Sequence, residues 1–242
     1  RIGKFYSVEL CLNNCNKIKN INKVVLATSY LEEDQVLVNK FKKKFNVFQG
    51  HPEDVIKRFL GVAKKYNLNT VIRVTADCPF VSPEILNFLI QKHYENGADY
   101  TAAKKFSVGT SGEVYNVEAM KNVIKKLKGA IHSEYMPWYF LNNNKYFKIN
   151  IVDLPKKLIR NHRLTLDYKQ DLLLFNKIVA KSKKSANKIS TEEIFKILDK
   201  NPKLGKINSK FKLIYLKRDF QKKLKKFTKF SWKKFYLQVT LV

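Results

Sequence analysis

Two stretches carry arginine, threonine and aspartate on alternate positions: Arg73-Val74-Thr75-Ala76-Asp77 and Arg163-Leu164-Thr165-Leu166-Asp167. In an extended segment alternate side chains share one face, so each stretch lines up its three polar groups. Both aspartates fall where a strand should give out, the first of them just before Cys78-Pro79. Ligands of open α/β sheets bind beyond the carboxyl ends of the strands. Two carboxylates converging there, Asp77 and Asp167, could hold a hard divalent cation against phosphate oxygens. For Arg73 and Arg163 two readings stay open: an ion pair with the aspartate on the same face, or contact with phosphate. Asp171 reads first as the cap of a helix over 168–182, with a metal role as the lesser reading.

Strands and helices in alternation must position these groups. Residues 23–29 form a short buried-type strand ending at Thr28-Ser29, and Glu32, Glu33 and Asp34 then suit the start of a helix over 34–44. Residues 46–50 read as a second strand ending at Gly50, and His51-Pro52-Glu53-Asp54 opens a helix over 54–66. The central strand is expected over 70–77. Ser82-Pro83-Glu84 starts a helix that stops near Asn96-Gly97. Then follow a glycine-spaced loop into a strand near Glu113, helices over 118–127 and 135–142, and a strand over 147–152. The second aspartate-tipped strand, 163–167, precedes helices over 168–182 and 191–198. Such alternation predicts an α/β fold with a mostly parallel sheet covered on both faces.

Bulk composition narrows the classes. At 242 residues, 45% hydrophobic and 13% aromatic, the chain can bury a full core. It contains no apolar run of membrane-spanning length and no visible signal peptide. Three cysteines, Cys11, Cys15 and Cys78, form an odd and sparse set that argues for a reducing cytoplasm and against a disulfide framework. They read as small core residues rather than zinc ligands. The formal charge is +28, from 48 Lys+Arg against 20 Asp+Glu, which points to nucleic acid or an anionic surface as one reading. Only six of these basic residues are arginine, however, and the lysines are scattered along the chain. Arginine is the usual grip on phosphate, so compositional drift is the preferred account.

A collinear set of short motifs resembles a known family. It comprises Leu26-Ala27-Thr28-Ser29, Gln49-Gly50 with Glu53-Asp54-Val55 and Arg58, Arg73–Pro79, Gly109-Thr110 with Glu113-Val114, His132-Ser133-Glu134-Tyr135, and Arg163–Tyr168 with Asp171-Leu172. In this order they are similar to the cytidylyltransferase-like proteins of surface-polysaccharide synthesis, the SpsF-type spore-coat proteins, which are related to CMP-sialic acid and CMP-Kdo synthetases. The resemblance covers roughly residues 20–210. It implies a Rossmann-like nucleotide-diphospho-sugar transferase fold, a three-layer sandwich. It also implies transfer of a nucleoside monophosphate from CTP or another nucleoside triphosphate to a sugar or sugar phosphate, with release of pyrophosphate and with Mg2+ as cofactor.

By the same resemblance Asp77 and Asp167 bind Mg2+ and act in catalysis with Arg73. Thr28, Gly50 and Arg58 lie on the nucleotide side, and Glu113, His132, Glu134 and Arg163 on the substrate side. Plainer readings stand beside these: Arg58 as a solvent-facing helix residue, Glu113 as a strand-edge charge, His132 and Glu134 as a dimer-contact pair, and Ser133-Glu134 as a helix cap. Trp138, Tyr139 and Phe140 read as core, and His51, His93 and His162 have no spacing suited to metal or general-base work.

The family opens with a strand and a loop of the form A-R-x-x-S-x-R-L-P-x-K, which holds the phosphates through backbone amides and basic side chains. The sequence begins at Arg1 with a helix over 6–12 and contains no such loop, so the first strand and the phosphate loop are expected to be absent and the chain nearly inactive. The expected organisation is one nucleotidyltransferase domain, 1–210, followed by a basic lysine and aromatic extension, 211–242. A basic nucleic-acid-binding α/β protein and a truncated frame without function are the alternatives, and a homodimer is a further expectation.

Overall fold

The computed structural model describes residues 1–127, 130, 133–211 and 218–230. The chain begins with α1 (Ser7–Cys15), β1 (Val25–Ser29), α2 (Gln35–Phe41), β2 (Asn46–Gly50) and α3 (Val55–Lys65). It continues with β3 (Thr70–Arg73), α4 (Pro83–Asn96), β4 (Tyr100–Ala103), β5 (Glu113–Asn116) and α5 (Val117–Leu127). The remainder holds α6 (Pro137–Leu141), β6 (Ile149–Val152), α7 (Lys169–Ser182), α8 (Thr191–Lys200), the short α9 (Pro202–Gly205) and α10 (Arg218–Thr228). Local chemistry sets several of these boundaries. Ser82 and Ser190 accept the N–H groups of Ile85 and Glu193, and Gly97 closes α4 in the left-handed conformation.

The described strands form two sheets, β1-β2 and β3-β5-β4-β6. β1 and β2 run parallel, β4 and β6 run parallel, and β5 is antiparallel to both β3 and β4. Within the larger sheet β5 alone is therefore reversed, and the layer is mostly parallel as expected. Among the described residues β1 pairs only with β2, and β3 only with β5. Helix α3 packs against β1, β2 and β3 and so spans the divide.

Helices cover both faces. Ile56 of α3, Met120 and Val123 of α5 and Phe140 of α6 pack with Val71 and Tyr115. Cys11 and Cys15 of α1 and Ile85, Leu86 and Leu89 of α4 pack with Cys78 and Val114. A third cluster joins Phe80 and Leu164 to α7 and α8 through Phe175, Ile178 and Phe195. Of the aromatic stripe read as core, Tyr139 and Phe140 are fully buried, whereas Trp138 is only half-buried.

Four expectations need correction. The central strand ends at Arg73 rather than residue 77, because Cys78 N–H turns back to Thr75 O at 3.1 Å and takes the chain out of the ladder. Residues 163–167 form no sheet strand. They are extended but anchored by single contacts, Leu164 N–H to Val108 O and Leu166 N–H to Asp77 O. The strand β4 escaped the sequence reading because Tyr100-Thr101-Ala102-Ala103 is buried throughout and shows no alternation. Asp34 does not cap α2 through its side chain. That carboxylate turns back to Thr28 and Ser29 instead.

Part of the 211–242 stretch can be described. Helix α10 packs on α6, burying Leu224 completely and placing Phe230 in the core beside Phe147. Asn143 fixes it with Nδ2 to Thr228 O at 2.7 Å and Oδ1 from Phe230 N–H at 2.8 Å. Two such apolar side chains contribute about 1.5–3 kcal/mol each, which outweighs the mutual repulsion of solvated lysines on the opposite face.

Candidate active site

The carboxyl ends of β1, β2 and β3 bring three groups of sequence-expected residues to one rim. At the end of β1, Thr28 donates its hydroxyl to Asp34 Oδ2 at 2.8 Å, and Ser29 N–H reaches the same oxygen at 2.9 Å. These donations, those of Ser29 foremost, hold the Asp34 carboxyl below its usual range. Gly50 ends β2, and a Cβ built there would lie 2.8 Å from Arg58 Cγ, so the close approach of α3 requires glycine. Arg58 does not face solvent. Its Nε donates to His51 O at 2.9 Å and its Nη2 to Pro52 O, so the guanidinium braces the loop after Gly50.

At the end of β3, Arg73 lies opposite Glu113 in the antiparallel register. Its Nη1 donates to Glu113 Oε2 at 3.0 Å and its Nη2 to Glu134 O at 2.7 Å. Burial works against this cation, but the Glu113 carboxylate beside it raises its pKa above the ordinary arginine value. The expected alternative, a pair with Asp77, is therefore corrected: Asp77 lies beyond the turn, and the partner of Arg73 comes from the neighbouring strand. Glu113 and Glu134 are brought together through this one guanidinium. His132 lies outside the described residues.

Beyond the turn the two arginine-threonine-aspartate segments meet. Thr165 donates its hydroxyl to Asp77 Oδ2 at 2.7 Å, and Leu166 N–H donates to Asp77 O at 2.8 Å. Asp167 follows two positions after Thr165 and pairs through Oδ2 with Arg163 Nη2. Arg163 also donates Nε to Asp171 Oδ1 at 3.1 Å, and its side chain is only 7% exposed. Asp171 is fully buried, accepts the N–H groups of Asp167 and Tyr168 at 2.9 Å each, and takes Asn208 Nδ2 at 2.7 Å. Burial would raise its pKa, but these donors, Arg163 first, hold it below the usual carboxylate range. Asp171 is thus the cap of α7 that the sequence suggested, and also the counter-ion that fixes Arg163 beneath Asp167.

The donor set tests the idea of a metal. No group of three or more His, Cys, Asp or Glu side chains able to hold a metal ion exists among the described residues. Two carboxylates do not cage a cation. They do suit Mg2+ carried on a triphosphate, which takes one or two carboxylates, phosphate oxygens and water.

Several contributors gave weak sequence signals. Thr165 belongs to the repeated pattern but was given no role of its own. Ser133 looked like part of a helix cap, yet it bonds to the loop at 53–55 across the rim. His51 Nδ1 accepts the N–H groups of Glu53 and Asp54 and shapes that loop, while His93 bonds to Thr101 and His162 faces Asp199. The three cysteines are free and buried.

Acidic and basic groups thus gather beyond the carboxyl ends of the strands, where open α/β sheets bind their ligands. The family model described as cytidylyltransferase matches residues 8–235. The chain is 32% identical over 190 residues to the spore coat polysaccharide biosynthesis protein SpsF of Bacillus subtilis, covering 76% of this chain and 78% of that protein. Its fold matches a cytidylyltransferase of Leptospira borgpetersenii with a TM-score of 0.76 at 22% identity, over 88% of this chain and 90% of that one. It also matches a CMP:2-keto-3-deoxy-manno-octonic acid synthetase complexed with CTP, with a TM-score of 0.53 at 10% identity, over 73% and 88% of the two chains. This chain belongs to the cytidylyltransferase family.

Proposed function

We propose that the chain provides the catalytic scaffold for transfer of CMP from CTP to a sugar or sugar acid, in the supply of activated sugars for surface polysaccharide. The observation that carries this reading is the Thr165–Asp77 hydrogen bond, which brings the two aspartate-tipped segments to one rim. In the reaction an acceptor hydroxyl oxygen bonds to the α-phosphorus and gives up its proton to solvent as the bond to the bridging oxygen breaks, and pyrophosphate leaves with the electron pair.

Thr28, Gly50 and Arg58 border the nucleotide side, where Arg58 acts by holding the 51–52 carbonyls rather than by reaching the ligand. Asp77 and Asp167 face the triphosphate. If Mg2+ is bound there, these two carboxylates hold it and it neutralises phosphate charge. Arg163 orients Asp167, and Arg73 holds Glu113 in place as an acceptor for a sugar hydroxyl. His132 and Glu134 are assigned to the same acceptor side.

The family fold, the SpsF relative and the shared rim support this reading. The expectation that the chain is nearly inactive without an A-R-x-x-S-x-R-L-P-x-K loop is tested in the same assay. Pyrophosphate release is the test, measured with CTP, Mg2+ and a panel of sugar acids and sugar phosphates. It is run on this chain and on a version preceded by a family strand and loop. Release by the extended version, lost in Asp77→Ala and Asp167→Ala, is expected. Release unchanged in both variants would overturn the metal and catalytic assignments. No release with any nucleoside triphosphate would overturn the function.

A further inference from the structure

We propose that Ser133 is a positioning residue that locks the nucleotide-side loop, 51–55, to the acceptor-side segment beginning at Glu134, so that the two halves of the rim move as one body. The proposal rests on the cytidylyltransferase reading for its names of the two sides, but the contacts stand without it.

Ser133 is fully buried. Its Oγ accepts Val55 N–H at 2.6 Å and donates to Glu53 O at 2.8 Å, so one hydroxyl engages both polarities of the same loop. A hydroxyl can accept and donate at once, as these two contacts require. Asp54 adds a second tie. Its Oδ1 takes Lys57 N–H at 2.9 Å, starting α3, while its Oδ2 takes Ala130 N–H at 3.2 Å. The acceptor-side segment is thus joined to the loop at 130 and at 133, residues separated from it by 76 to 80 positions.

From this tie contacts run to both sides. On the nucleotide side Arg58 binds the carbonyls of His51 and Pro52, and the same arginine packs against Gly50. On the acceptor side the next residue, Glu134, offers its carbonyl to Arg73, whose other nitrogen holds Glu113. The chain of contacts therefore passes from Gly50 through Ser133 to Glu113 without leaving hydrogen-bonded or packed groups. A cap serving α3 alone would not adjoin the Glu134 carbonyl that holds Arg73, and a cap for the turn at 133–135 would not engage Glu53. Coupling of this kind is established only when both ends respond to one change.

Amide hydrogen exchange on the full 242-residue chain reads both ends at once. Ser133→Ala removes both of these hydrogen bonds and is expected to speed exchange at least about three- to tenfold in peptides over 51–58 and over 133–141. Helices α7 and α8 should keep their rates, and Ser133→Thr, which retains the hydroxyl, should restore both segments. Asp54→Asn should loosen the same pair, because one acceptor oxygen then remains for the two N–H groups of Lys57 and Ala130. In the unsubstituted chain CTP with Mg2+ should protect 133–141 as well as 51–58, and in Ser133→Ala only the latter.

Acceleration confined to 51–58, or spread evenly over the molecule, would overturn the coupling. If CTP protects nothing either in the unsubstituted chain or in one preceded by a family strand and loop, the nucleotide reading fails, while the ligand-free comparison still decides the coupling.

Discussion

The Thr165 hydroxyl and the Asp77 carboxylate lie 2.7 Å apart although 88 positions separate them in the chain. Their contact makes the end of the central strand and the segment leading into α7 a single edge. Asp167 is part of that edge through Leu166, whose N–H is held by the Asp77 carbonyl.

Thr165→Val should therefore damage the site without damaging the core. Replacing the hydroxyl by a methyl of similar shape leaves Asp77 without its neutral donor and costs about 1–2 kcal/mol in stability. Mg2+-dependent CTP binding, measured by calorimetry, should weaken more than the melting temperature falls. Equal affinity in Thr165→Val would separate the two segments functionally.

Gly109 controls the same edge from below. Its φ is +90°, and an added Cβ would lie 2.2 Å from Leu164 O, a backbone atom that cannot swing aside. Gly109→Ala should cost at least about 2 kcal/mol by denaturant unfolding. Gly97 also has positive φ, +60°, but nothing lies within 4 Å of its Cβ position. Gly97→Ala should cost only about 1 kcal/mol, the backbone penalty alone. Equal losses at the two positions would show that the close approach to Leu164 is not decisive.

The Arg163–Asp171 pair makes stability acid-sensitive. The folded Asp171 carboxyl is held below the unfolded value of about 3.9, so its contribution is complete above that pH. It fades as the pH falls through the folded value. Denaturant titrations between pH 6 and pH 3 should show a loss of stability that Asp171→Asn removes. Arg163→Ala should cost about 3–5 kcal/mol at neutral pH because it strands a buried carboxylate. A flat acid limb in the unsubstituted chain would contradict the pairing.

The thiols should be silent in the folded protein. Burial, reinforced by Asp77, pushes the Cys78 thiol up, and Cys15 together with burial pushes up Cys11. A disulfide reagent at pH 8 should react with these cysteines only as fast as the protein unfolds, then titrate all three in denaturant. Rapid native labelling of Cys78 would mean that the rim around Asp77 opens.

Much of the scaffold was legible from local pattern. Serine before Pro83, glycine after Asn96 and the acidic cap at Asp171 each act within a few residues, so the sequence marks helix ends directly. Alternation of Arg, Thr and Asp likewise fixed which side chains share a face in 163–167, where Arg163 and Asp167 do pair. The same pattern failed for Arg73 because the chain turns at Thr75–Cys78 before Asp77 can come alongside.

What the residues determined alone was a set of faces and ends: which positions turn inward, where helices begin, and that the collinear motifs belong to a cytidylyltransferase. Which groups meet was decided in three dimensions. Glu113 reaches Arg73 through the antiparallel register of β5, and Ser133 reaches Glu53 through packing of a distant segment onto α3. Local preference acts over one turn or one pleat, whereas partners tens of residues apart are chosen by the register and burial of the whole layer.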